Sequence, residues 1–183
     1  MLQANDCYTI FQQSIVDYHV HDHVDTPIKN PYPAGSLNLL LYGKNWIDTV
    51  QWHLEDLIRV PTIDPVEGLK IKRRIDKSNQ DRTDMVEKLD DYFLQEFKNI
   101  NAPPGTRINS ETPAWLLDRM SILMLKIYHM KEQTERKDVN ADHVKTTNAK
   151  LAVLMEQKSD MQLAFDELMD DIVNGKRRFK VYR

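Results

Sequence analysis

Proline disappears from this chain after Pro113, and glycine is scarce throughout. The 183 residues hold 5 Gly and 8 Pro, about 7% together, where average usage gives the pair near 12%. Sandwiches, barrels and α/β folds with Gly-built loops need more turn residues than this. Gly35, Gly43, Gly68, Gly105 and Gly175 are spaced too widely to write a phosphate-cradling loop or a dinucleotide fingerprint. What remains is an all-α chain whose prolines punctuate its helices.

The punctuation and the apolar spacing predict five helices. The first runs from about Asp6 to Val20, with Tyr8, Phe11, Ile15 and Tyr18 on one face. Ser36 caps a second that reaches about Arg59, and Gly43 stands where it would bend or split. Asp64, with Pro65 at the first helical position and Glu67 two further on, opens a third that ends near Phe97. Thr112 and Pro113 open a fourth, to about Lys137, apolar over most of its circumference between Trp115 and Met130. Asn140 caps the last, which Gly175 stops after Asn174. Its Leu151, Leu154, Lys158, Met161, Phe165, Leu168 and Ile172 alternate steps of three and four, a seam for a partner helix. The architecture expected is an antiparallel bundle of about five helices, two of them long. It forms one domain over residues 1–183: an N-terminal helix and loop (1–35), a polar-centred hairpin (36–99), two further helices (112–174) and a basic tail (175–183).

Lys and Arg total 25 against 28 Asp and Glu, so attraction to nucleic acid or anionic membrane is not expected. Lys176, Arg177, Arg178, Lys180 and Arg183 crowd the last eight residues, which leaves 20 basic against 28 acidic residues before them. The single Cys7 excludes an intrachain disulfide, the first thirty residues lack a secretory pattern, and no apolar run suits a membrane span. A cytoplasmic protein is expected.

Polar residues stand where core stripes should continue. On the third helix Lys72, Asp76, Asn79 and Arg82 share one face, between apolar turns at Val66 and Leu69 and at Val86, Leu89 and Phe93. The second helix carries Asn45, Asp48, Trp52, Glu55 and Arg59 beside its apolar stripe, flanked by His53 and Asp56. A hairpin around Thr62 and Ile63 makes facing residue numbers sum to about 125. That sets His53 near Lys72, Asp48 and Thr49 near Asp76, and Asn45 near Asn79. The fourth helix adds Asp118 and His129. Buried charges cost several kcal/mol unless paired, so such a layer is either a closed network or a place for a ligand.

The same residues carry a family resemblance. The segment Trp52-His53-Leu54-Glu55-Asp56, the segment Ile75-Asp76-Lys77-Ser78-Asn79-Gln80-Asp81-Arg82, and Thr112-Pro113-Ala114-Trp115 with Asp118-Arg119 resemble the bacterial family catalogued as domain of unknown function 4254. The resemblance implies an all-helical protein of about this size, with members often associated with cell-envelope polysaccharide genes. It carries over no catalytic residue.

Three functional readings follow from the residues. The first is a buried polar site for a small anionic ligand such as a nucleotide or sugar phosphate. Its candidate contacts are Asn45, Asp48, Trp52, His53, Glu55, Asp56, Arg59, Lys72, Asp76, Asn79, Arg82, Asp118 and His129. The second is a non-catalytic module whose last helix and basic tail engage a partner protein or a second copy. The third is a nucleotide pyrophosphohydrolase in which Glu55, Asp56, Asp76, Glu87 and Asp90 hold a divalent metal, although the paired acidic elements such enzymes use are incomplete here. His19, His21 and His23 alternate as in an extended segment, and two on one side could bind zinc; a solvated loop is the plainer reading. Trp46, Trp52 and Trp115 offer stacking surfaces, at least two of them as core anchors.

Overall fold

Each expected cap is made by the side chain named for it. In a computed structural model, which describes residues 2–182, the elements are α1 (Ala4–His19), α2 (Leu37–Ile58), α3 (Pro65–Glu96), β1 (Arg107–Ile108), α4 (Pro113–Glu135), α5 (Ala141–Val173) and β2 (Arg177–Arg178). Ser36 accepts from the Leu39 N–H, Asp64 from Val66 and Glu67, Thr112 from Trp115 and Asn140 from His143. A cap of this kind stabilises a helix by about 1 kcal/mol. Pro65 and Pro113 occupy first-turn positions where no backbone donor is needed. The chain is all-α as expected, and α3 and α5, at 32 and 33 residues, are the two long helices. Among the described residues no helix is long and apolar enough to cross a membrane.

The chain divides into two compact units, Thr9–Lys98 and the remainder on either side of it. In the first, α2 and α3 pack as a hairpin and the later turns of α1 supply Phe11, Ile15 and Tyr18, all fully buried. Ser14 Oγ donates to the Tyr42 carbonyl at 3.2 Å, and the Tyr42 hydroxyl donates to Asp17 at 2.9 Å. Gly43 does not split α2, which runs unbroken from Leu37 to Ile58. A β-carbon there would lie 3.1 Å from the Met85 methyl, so its role is close approach to a side chain of α3.

In the second unit α4 packs on α5. Leu117, Met120, Leu123, Met124, Leu125 and Ile127 are buried along successive turns of α4, and Phe165, Leu168, Met169 and Ile172 along the last turns of α5. The Ala4 N–H donates to Asp166 at 2.8 Å, and the Lys158 ammonium lies 4.8 Å from the centre of the Tyr8 ring. The C-terminal segment is not a free basic tail. Arg177 and Arg178 pair in parallel with Arg107 and Ile108, Arg177 reaches Asn109 at 3.1 Å and Asp171 at 3.4 Å, and Lys176 meets Asp170 at 3.5 Å. The carboxylates at the end of α5 thus pair with Lys176 and Arg177, and Arg178 donates to the Thr106 carbonyl at 3.2 Å; Arg183 lies outside the described residues. Trp46 is a core anchor, whereas Trp115 is 44% exposed.

Candidate functional site

The site begins with the register of the α2–α3 hairpin. Gln51 Nε2 donates to Asn79 Oδ1 at 2.8 Å, Ser78 Oγ donates to Gln51 Oε1 at 3.1 Å, and Asp48 Oδ1 lies 2.8 Å from Arg82 Nε. Facing numbers therefore sum to about 130 and not 125, which shifts α3 by more than a turn. The cause is the connection. Ile63 folds back against the first turn of α3, 3.8 Å from a β-carbon placed on Gly68, and Val66 and Leu69 stay exposed. The hairpin does not close at its tip, and the turns of α3 at Val66 and Leu69 project beyond the last turn of α2.

This shift corrects the expected layer. The inward stripe of α3 passes through Ile75 and Ser78 and on to Val86, Leu89 and Phe93. Lys72 and Asp76 lie outside it, exposed and paired with each other, and Asn79 is exposed. Asn79 still reaches Gln51 with its side-chain oxygen, and Arg82, with a side chain 24% exposed, reaches the buried Asp48. On α2 Glu55 and Asp56 both meet Arg59, at 3.4 and 3.2 Å, in an exposed cluster at the helix end. Trp52 is half-buried. On α4, in the other unit, Asp118 is buried and His129 Nδ1 lies 2.8 Å from Glu132. Among the described residues the carboxylates Glu55, Asp56, Asp76, Glu87 and Asp90 do not converge into a metal-holding group.

The buried polar centre lies instead on α2. Lys44, Asn45 and Thr49 have no exposed surface, and Asp48 is 4% exposed. Lys44 and Asp48, one turn apart, form an ion pair that Arg82 completes from α3. Thr49 donates to the Asn45 carbonyl at 2.9 Å. With its charges paired and Lys44 and Asp48 buried, this network holds α2 against α3. Sequence reasoning missed Lys44, although its place three residues after Leu41, within the apolar stripe, marks it as a buried cation.

Beside that network, between α2 and α3, lies a cavity of about 400 Å³. Trp46, Ile47, Val50 and Leu54 form an apolar wall, and Arg73, Arg74 and Lys77 face it from α3 with Ser78 and Asp81. The Asp81 carboxylate, hydrogen-bonded to Lys77, holds that ammonium above the ordinary lysine range. Arg74 donates to Asp25 at 2.7 Å. Arg73 has no ion-pair or hydrogen-bond partner among the described residues. Sequence reasoning missed these three cations because they sit off the apolar stripe and read as a solvated face. A second cavity, about 340 Å³, also borders Trp46 and is lined by Asp17, Val20, His21, Thr26, Pro27, Lys29 and Tyr42.

His53 points toward α1. Its ring stacks on Tyr18 at 5.1 Å between centroids, and its Nε2 lies 3.3 Å from His19 Nε2 and 3.6 Å from Asp22 Oδ1. His19 belongs to the last turn of α1, so the His-Val-His-Asp-His segment begins as helix and not as an extended strand. Burial, together with the Asp22 and Asp25 carboxylates, pushes the Tyr18 phenol up to about 12.

Comparison with curated proteins and with solved structures finds no match. The family described as Protein of unknown function (DUF4254) matches residues 38–181, from the second residue of α2 to beyond β2. That span holds both helical hairpins, the buried Lys44–Asp48–Arg82 network and the cation-lined cavity, and the chain belongs to this family.

Proposed function

We propose that this protein binds a small anionic ligand with an apolar or ring-bearing part, such as a nucleotide or sugar phosphate, in the α2–α3 cavity. The observation that carries the reading is the pairing of walls: Trp46 with three aliphatic side chains on one side, Arg73, Arg74 and Lys77 on the other. Clefts of this size with an apolar lining and few convergent polar groups suit small molecules. Arg73 is an uncommitted cation. Arg74 and Lys77 hold exposed ion pairs worth about 0–1 kcal/mol, so a phosphate could exchange for Asp25 or Asp81 at small cost. Guanidinium groups also suit bidentate contact with phosphate oxygens.

The interaction-module reading lacks comparable support. The exposed apolar residues of α5, Val153, Met155, Leu163 and Val173, place no two in adjacent turns of one face. The test is a thermal-shift screen of the full chain with nucleotides, sugar phosphates and inorganic phosphate. A ligand at 100 times its dissociation constant adds about 2.7 kcal/mol, or roughly 5–11 °C for a chain of this length. Arg73→Ala should remove most of that shift, and Lys72→Ala, the same charge change away from the cavity, should keep it. No shift with any compound would favour the interaction reading.

A further inference from the structure

We propose that His19, His53 and Asp22 form a site for a divalent transition-metal ion, zinc in particular, separate from the anion cavity. The three donor atoms make a nearly regular triangle: His19 Nε2 to His53 Nε2 3.3 Å, His53 Nε2 to Asp22 Oδ1 3.6 Å, His19 Nε2 to Asp22 Oδ1 3.9 Å. The two carboxylate distances are too long for hydrogen bonds. They match the spacing of ligand atoms around one ion: the point equidistant from all three lies about 2.1 Å from each, where zinc–nitrogen and zinc–oxygen bonds fall. Two imidazoles and one carboxylate are a borderline-soft set that favours zinc and its first-row neighbours over magnesium or calcium.

The surroundings already hold the donors as a metal site requires. His19 Nδ1 lies 2.7 Å from the Ile15 carbonyl and donates to it, which leaves a lone pair on Nε2 directed at the other two donors. The fully buried Tyr18 ring stacks on His53 and meets His19 edge-on at 5.2 Å, fixing both imidazoles. Asp22 reaches the site because α1 ends there: its N–H bonds the Tyr18 carbonyl at 3.0 Å, and its φ of 49° puts it in the left-handed region. Aspartate is one of the few residues besides glycine that takes up this conformation readily, so the carboxylate is held there at little cost. The Asp22 side chain is 57% exposed, which gives an ion a route in.

The test uses the untagged full chain, stripped of metal by a chelator and titrated calorimetrically with zinc chloride, with cobalt absorption as a second reading of the ligand field. One equivalent should bind. Asp22→Gly keeps the backbone conformation while removing the carboxylate. It should weaken zinc affinity by at least about tenfold, since even outer-shell losses cost 10–100-fold, without lowering the metal-free melting temperature. His53→Gln should weaken it further, and Arg73→Ala should leave it unchanged, which separates this site from the anion cavity. Absence of saturable binding to the parent chain, or less than about tenfold weakening in Asp22→Gly, overturns the proposal.

Discussion

Replacing Asp48 by Asn keeps the side chain's volume and removes the charge that Lys44 and Arg82 share. Asp48 and Lys44 side chains are 2% and 0% exposed, so the Lys44 ammonium would be left facing a neutral amide out of reach of water, and the partly exposed Arg82 would lose its carboxylate. Breaking one partner out of a buried pair costs about 3–5 kcal/mol, a large part of the roughly 5–15 kcal/mol that holds a domain together. No cavity is created, so the loss is electrostatic. For a chain of this length each kcal/mol moves the melting temperature by roughly 2–4 °C, so Asp48→Asn should melt about 6–20 °C below the parent. Asp76→Asn is the control. Asp76 and Lys72 are 58% and 53% exposed, and such a pair contributes about 0–1 kcal/mol. Helical circular dichroism followed through thermal and urea melts reads both. A shift from Asp48→Asn smaller than that from Asp76→Asn would refute the assignment of the buried charge network to α2.

Two further outcomes follow from local geometry. Gly175 ends α5 at a φ of +66°, so Gly175→Ala should destabilise by about 1–2 kcal/mol, measured by urea midpoint, although the nearest atom to the new methyl is 3.6 Å away. Burial pushes the Cys7 thiol and the Tyr18 phenol each up to about 12. Their native pKa values lie above those of the unfolded chain. The stability this contributes is complete below the ordinary thiol and phenol values of about 9 and 10 and is lost as pH rises through them toward 12. The urea midpoint should thus fall between pH 8 and pH 11; an unchanged midpoint contradicts it.

The helices were legible because their ends are written in side chains. Ser36, Asp64, Thr112 and Asn140 each accept the bond expected of a cap, and Gly175 takes the left-handed turn that only a missing β-carbon makes easy. The hairpin register was not legible, since it depends on how a six-residue connection folds back, and Ile63 packs on α3 through tertiary contact with no local signature. An error of about five residues was enough to carry Lys72 and Asp76 from the interior to the surface. Arg82 stayed in the polar centre because a long guanidinium side chain tolerates such a slip. The His19–His53 contact was out of reach for a different reason: one imidazole ends α1 and the other sits on α2, 34 residues on, and only the packing of Tyr18 between the two helices brings them together.

The fluorescence of Trp46 tests anion binding in the α2–α3 cavity most directly, because its indole forms part of the wall. In a chain carrying Trp52→Phe and Trp115→Phe, Trp46 is the sole tryptophan, and its emission can be followed during titration with adenosine triphosphate, a sugar phosphate and pyrophosphate. At least one should give a saturable change at submillimolar concentration, with affinity reduced at least about tenfold, or 1.4 kcal/mol, by Arg73→Ala. Emission that stays flat through all three titrations, or a change that Arg73→Ala leaves intact, would contradict it.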